Sequence, residues 1–175
     1  VTGSYYAWAT FCDLPCANYE FGSDGKMLNG IVEKTDGYYY YINGKIDWTK
    51  AGLHKIGDDY YFVTTAGKCV TGTYYAWATF CDMPCANYEF GADGKMLHGF
   101  VEKEDGIYCY VNGKPGSANP GLAKIDGYYY FVKYDGSLVC NQSYYVWETN
   151  GLSIEMTYVF DENGRIIGCK SLGRI

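Results

Sequence analysis

Leu122-Ala-Lys-Ile-Asp-Gly-Tyr-Tyr-Tyr-Phe-Val-Lys-Tyr-Asp-Gly-Ser-Leu-Val139 is the stretch that decides the fold. Its apolar runs are cut by Asp126-Gly127 and Asp135-Gly136, and Asp-Gly readily supplies the positive φ angles of tight hairpin turns. The same punctuation stands at Asp24-Gly25, Asp36-Gly37, Asn43-Gly44, Asp93-Gly94, Asp105-Gly106, Asn112-Gly113 and Asn163-Gly164. Between the turns lie Tyr38–Ile42, Tyr60–Val63 and Tyr128–Val132, rich in side chains that suit a pleated surface. No helical period competes with these strands. The stretch reads as one hairpin, and a lone hairpin cannot hide its apolar face, so it must stack on others like it.

Repetition supplies the others. Val1–Phe21 returns almost letter for letter as Val70–Phe90, and a diverged third copy with one extra residue runs from Val139 to Phe160. The period is 69 residues, giving super-repeats at 1–69 and 70–138 and a partial one at 139–175. Each super-repeat divides into units of 27, 22 and 20 residues that mostly close on Gly. The expectation is a single all-β repeat domain, a solenoid of stacked hairpins. The chain opens at Val1 without a signal-like segment and both ends cut through units, so it reads as a piece of a longer protein.

Composition narrows the function. Of 175 residues, 14 are Lys or Arg and 20 are Asp or Glu, for a net charge of −6. That balance offers no basic patch for nucleic acid or an anionic membrane. No apolar run is long enough for a spanning helix, so membrane insertion is not expected. With 21 Tyr against 4 Trp and 8 Phe, tyrosine must supply much of the buried surface. Eight cysteines fit an extracellular or cell-surface protein better than a cytosolic one.

The short and medium units resemble the cell-wall-binding repeats of choline-binding and glucan-binding bacterial proteins, and also the carbohydrate-binding repeats of large clostridial toxins. The resemblance rests on Asp126-Gly127-Tyr128-Tyr129-Tyr130-Phe131 for the centre of that motif. Its end is matched by Asp24-Gly25-Lys26-Met27-Leu28-Asn29-Gly30 and Asp93-Gly94-Lys95-Met96-Leu97-His98-Gly99. It implies a β-solenoid and a non-catalytic module whose partner is a glycan or cell-wall polymer. The two Trp positions of the choline box are filled otherwise here. Ile31, Leu53, Phe100 and Leu122 hold the first, and Tyr38, Asp59, Ile107 and Tyr128 the second. Those replacements argue against a choline cage, which depends on aromatic faces around the ammonium.

Trp8, Trp77 and Trp147 recur inside Tyr-Tyr-x-Trp and, with Tyr6 and Tyr75, are candidates for stacking on the C–H faces of sugars. The competing reading makes them core between hairpins. Strand alternation puts Tyr6 and Trp8 on one side and Ala7 and Ala9 on the other. Because Ala9 becomes Glu148 in the third copy, the Ala9 side is expected to meet solvent and the Trp to point inward. Trp48 lies in a loop-like stretch that lacks an aromatic in the second copy, and is expected to be either an exposed anchor or a local plug. Cys12-Asp-Leu-Pro-Cys16 recurs as Cys81-Asp-Met-Pro-Cys85, and both cysteines vanish together in the third copy. Joint loss favours local disulfides Cys12–Cys16 and Cys81–Cys85, with bridges between copies or a metal as alternatives. His54 and His98 are not repeated and no carboxylate pair stands out, so neither catalysis, a metal nor a cofactor is expected. A structural spacer or adhesin stalk with a protein partner, or none, is the rival to a glycan-binding module.

Overall fold

The computed structural model describes residues 1–8, 14–49, 51–77, 83–116, 121–146 and 156–171. Every regular element among them is a β-strand, and every strand pairing is antiparallel. The first super-repeat holds β1 (Gly3–Ala7) on β2 (Ala17–Phe21), then β3 (Gly30–Lys34), β4 (Gly37–Ile42) and the short β5 (Lys45–Ile46), then β6 (Gly52–Ile56) on β7 (Asp59–Val63). The second repeats this as β8 (Gly72–Ala76) on β9 (Ala86–Phe90), β10 (Gly99–Lys103) with β11 (Gly106–Val111) and β12 (Lys114–Pro115), and β13 (Gly121–Ile125) on β14 (Tyr128–Val132). The third adds β15 (Ser143–Val146), β16 (Met156–Phe160) and β17 (Ile166–Ser171). These strands form two compact units, Val1–Met96 and Leu97–Ile175.

Besides the Gly57-Asp58 turn between β6 and β7, where Gly57 has φ 66° and the φ of Asp58 is not positive, the Gly-containing turns are of three kinds. Asn43-Gly44, Asn112-Gly113 and Asp126-Gly127 are two-residue loops with both φ values positive, between 48° and 84°. That is the turn whose twist matches paired strands. At Asp36-Gly37 and Asp105-Gly106 the loop has moved one residue back. Thr35-Asp36 and Glu104-Asp105 form it, and each Gly already pairs in a strand. The third kind is a return turn after the hairpin. The Gly22 amide donates to the Lys26 carbonyl at 2.8 Å and the Gly25 amide to the Gly22 carbonyl at 3.0 Å, so Met27 comes back beside Phe21. The same arrangement recurs with Gly67, Gly94, Gly136 and Gly164.

Return segments join the β6–β7 hairpin to β4 and the β13–β14 hairpin to β11. The Cys69 amide donates to the Tyr38 carbonyl and the Tyr40 amide to the Gly67 carbonyl, at 2.8 and 2.9 Å. In the other unit the Leu138 amide bonds the Ile107 carbonyl and the Cys109 amide the Gly136 carbonyl, both at 2.8 Å. The Gly-x-apolar ending (Gly67-Lys68-Cys69, Gly136-Ser137-Leu138) is therefore a joint between hairpins as well as a turn.

The core follows the Tyr count. Tyr19, Tyr41, Tyr61, Tyr88, Tyr110, Tyr130 and Tyr158 are all buried, one on β2, β4, β7, β9, β11, β14 and β16. A buried phenol needs a hydrogen-bond partner. Tyr19 donates to the Pro15 carbonyl at 2.6 Å and Tyr88 to the Pro84 carbonyl at 2.5 Å, which ties each Pro-Cys loop to the strand behind it. Tyr41 donates to Glu20 at 3.0 Å, and Glu20 pairs with Lys34 at 2.5 Å, linking the first two hairpins. Other apolar side chains fill the remainder, with Leu53, Val70, Phe90 and Met96 in one unit and Leu122, Val139, Val146 and Phe160 in the other. Cys69 belongs to this apolar interior, and burial pushes its thiol pKa up to about 11.

Candidate functional site

Strand β8 ends at Ala76, and its last residues set the site. Tyr74 and Ala76 turn inward, Ala76 being only 4 % exposed. Tyr75 and Trp77 face out, Trp77 with 80 % of its surface free. Trp8 is likewise 66 % exposed, so the inward Trp expected from the Glu148 substitution is not found. Alternation was carried from Tyr6 through Ala9, yet β1 stops at Ala7 and the period of two has no meaning beyond it. The informative substitution is the neighbouring one. The position of Ala7 and Ala76 becomes Val146, completely buried, which marks that side as the covered one.

Trp77 and Trp8 are each packed against a neighbouring Tyr. Tyr75 and Trp77 meet edge to face at 4.8 Å and 68°, and Tyr6 and Trp8 at 4.9 Å and 71°. Such pairs are favourable beyond their buried area and present the indole face as a fixed plate. The Cys85 thiol donates to the Trp77 carbonyl at 2.9 Å, fixing the backbone beneath that plate.

Beside Trp77 opens a cleft of about 220 Å³ between the β6–β7 hairpin and β8, lined by Gly52, Phe62, Thr64, Thr65, Tyr74 and Trp77 among others. Its floor is the Phe62–Tyr74 pair, with ring centroids 4.5 Å apart. No charged side chain lines it. Thr64 accepts a bond from the Lys68 amide at 3.2 Å through Oγ1, which leaves its hydroxyl proton for another acceptor. In the second unit the floor recurs as Phe131 against Tyr144, at 4.8 Å. Phe62, Tyr74, Thr64 and Thr65 were missed in the sequence, although the recurrence of Phe62 as Phe131 and Tyr74 as Tyr144 was a signal for the first two.

Other candidates stand apart from this cleft. Trp48 is 65 % exposed in the loop after β5, where Asp47 accepts bonds from the Thr49 amide and hydroxyl at 2.9 and 2.6 Å. It does not line the cleft. Trp147, Cys12 and Cys81 lie outside the described residues, so the disulfide pairs and the third Trp are not placed by the structure. Among the described residues no three His, Cys, Asp or Glu side chains gather to hold a metal ion. No helix among them is long and apolar enough to cross a membrane.

No protein-family model and no curated protein matches the sequence. Among solved structures the chain is similar to choline binding protein F from Streptococcus pneumoniae, at 19% identity and a TM-score of 0.45, covering 96% of this chain and 48% of that one. It is also similar to the modular autolysin LytC from Streptococcus pneumoniae in complex with a synthetic peptidoglycan ligand. There the identity is 18%, the TM-score 0.42, and the cover 90% of this chain and 37% of that one. A third is alternansucrase in complex with isomaltononaose, at 16% identity and a TM-score of 0.33, covering 98% of this chain and 16% of that one. The chain thus spans about half the length of choline binding protein F.

Proposed function

We propose that this chain is a non-catalytic carbohydrate- or cell-wall-binding repeat module of a bacterial surface or secreted protein, its hairpins stacked as a β-solenoid. The observation that carries the reading is the cleft at Trp77, where an exposed indole and an aromatic floor meet two threonine hydroxyls and no charge. A sugar ring has the complementary chemistry, with C–H faces that stack on indole and hydroxyls that bond to threonine. At about 220 Å³ the cleft holds little more than one ring, so each site binds weakly and repeated sites give avidity. A spacer would bury its aromatics, whereas Trp8, Trp48 and Trp77 are all largely exposed. In the same reading Cys12–Cys16 and Cys81–Cys85 close as local disulfides on oxidation, Cys85 then exchanging its S–H bond to the Trp77 carbonyl for a covalent tie within the loop that follows the Trp.

The test is a glycan array carrying peptidoglycan, teichoic acid and plant and mucin polysaccharides, probed with the folded chain and with Trp77→Ala, Trp8→Ala and Trp48→Ala. These side chains are exposed, so the variants are expected to keep native circular dichroism. A polymer-specific signal that falls in Trp77→Ala supports the module. Absence of binding to every polymer, with all variants folded, returns the spacer or protein-adhesin reading to first place.

A further inference from the structure

The elements that build the Trp77 cleft recur in the other unit with its two polar residues exchanged. Phe131 on β14 and Tyr144 on β15 repeat the Phe62–Tyr74 floor, with ring centroids at 4.8 Å and a tilt of 42° against 4.5 Å and 43°. Gly121 and Val132 repeat Gly52 and Val63. Thr64 and Thr65, however, become Lys133 and Tyr134. The turn that carries them is unchanged. The Thr64 amide donates to the Lys68 carbonyl at 2.8 Å and the Gly67 amide to the Thr64 carbonyl at 2.9 Å. The Lys133 amide donates to the Ser137 carbonyl and the Gly136 amide to the Lys133 carbonyl, both at 2.9 Å. The same two bonds fix the same backbone, so Lys133 and Tyr134 leave it where the two threonines lining the first cleft do.

What changes is charge. No charged side chain lines the first cleft, whereas Lys133 brings an ammonium to the second. Lys133 is half-buried and holds no ion pair with another described residue. Asp135, the acid of the same turn, stands where Ala66 does, a position that does not line the first cleft. Its carboxylate accepts the Ser137 hydroxyl and amide at 2.7 and 2.9 Å, and these bonds, with a smaller attraction from Lys133, hold it below its ordinary pKa. Tyr134 is exposed and adds a second aromatic face and a phenol. Two threonine hydroxyls offer a sugar only neutral hydrogen bonds. A lysine ammonium beside an aromatic floor suits a sugar that also carries an anion, its ring stacking while the charge meets the amine.

We propose, resting on the reading that these clefts bind sugars, that the site of β13–β14 and β15 takes an acidic saccharide, one bearing a carboxylate or a phosphate. The test is a backbone-amide NMR titration of the whole chain with maltotriose, sialyllactose, trigalacturonate and a glycerol-phosphate trimer, each to about 10 mM, a range suited to weak single sites. The Lys133 and Tyr134 signals should move with an acidic probe at concentrations about tenfold below those needed with maltotriose. Lys133→Thr, which installs the residue of the first cleft, should remove that preference. Thr64→Lys should create it in the Trp77 cleft, read at Thr65. A response to the two carboxylate sugars alone, or to the glycerol-phosphate trimer alone, supports the proposal and assigns the anion. Lys133 and Tyr134 signals that stay static, or move equally with maltotriose, overturn it, even when Thr64 and Thr65 respond and the Trp77 cleft is upheld. An equal response to sodium sulfate overturns it too, by reducing Lys133 to a bare anion site. Static signals at both clefts with every probe overturn the sugar reading itself.

Discussion

Gly136→Ala puts the joint between hairpins to the test. An alanine Cβ there would lie 2.1 Å from the Gly116 nitrogen and 2.8 Å from both the Gly116 Cα and the Pro115 carbonyl carbon. Backbone must move by about 1 Å merely to reach the 3.0 Å below which Cβ contacts are essentially never seen. The atoms that must move are bonded to Cys109, whose amide donates to the Gly136 carbonyl and whose carbonyl accepts from the Gly116 amide, at 2.8 and 3.0 Å. Alanine at φ 85° itself costs about 1–2 kcal/mol. Losing one or two of those bonds adds about 1–3 kcal/mol. The expected total is about 2–5 kcal/mol. Gly99→Ala is the control, because Gly99 has φ 75° in the same unit and a Cβ there meets nothing within 4 Å. It should cost only the conformational part, about 1–2 kcal/mol. Urea denaturation followed by circular dichroism measures both. Losses equal to within about 0.5 kcal/mol would refute the close backbone approach as the reason for glycine.

The ion pair of the first two hairpins has a pH signature. Despite partial desolvation, hydrogen bonds from Lys34 and Tyr41 hold the Glu20 carboxyl below its ordinary value. A lowered folded pKa contributes stability at neutral pH that is lost as pH falls through the carboxylate range. Glu20→Gln should therefore narrow the difference in urea midpoint between pH 7 and pH 3, and an unchanged difference would contradict the assignment. Tyr19→Phe should cost about 1 kcal/mol by removing the donor to the Pro15 carbonyl, whereas Tyr19→Ala should cost about 3–5 kcal/mol. Equal losses in urea melts would place the energy elsewhere. In the reduced protein, iodoacetamide at pH 8 should label exposed Cys85 and spare buried Cys69, with its thiol pKa of about 11, until urea is added. Mass spectrometry of non-reduced digests of air-oxidised protein should then show Cys81–Cys85 and Cys12–Cys16 linked, and other partners would contradict the local pairing.

Much of the hairpin layer was legible because its causes are local. Asn-Gly and Asp-Gly carry their own φ preferences, and a 69-residue repeat turns each local reading into two or three independent ones. The shifted loops at Asp36 and Asp105 show where that legibility ended. Gly37 and Gly106 were read as turn residues but begin strands, because pairing of Lys34 with Gly37 and Lys103 with Gly106 sets the register. The cleft was half visible. Trp8 and Trp77 could be named from repetition, but their direction depended on where β1 and β8 end. Thr64 and Thr65 carried no signal, being ordinary turn residues until the neighbouring hairpin is set beside them.

By itself, then, the sequence determined an all-β chain of repeated hairpins, their turns, and a core that had to be built from tyrosine. Only tertiary structure decided which tyrosine of each run is inside. Within Tyr38-Tyr39-Tyr40-Tyr41, Tyr41 alone is fully buried, beneath Glu20 and Lys34 from the flanking strands. A strand's alternation defines two faces but does not say which of them another hairpin will cover. That choice belongs to the joints between hairpins, and it is also what leaves Trp77 facing water.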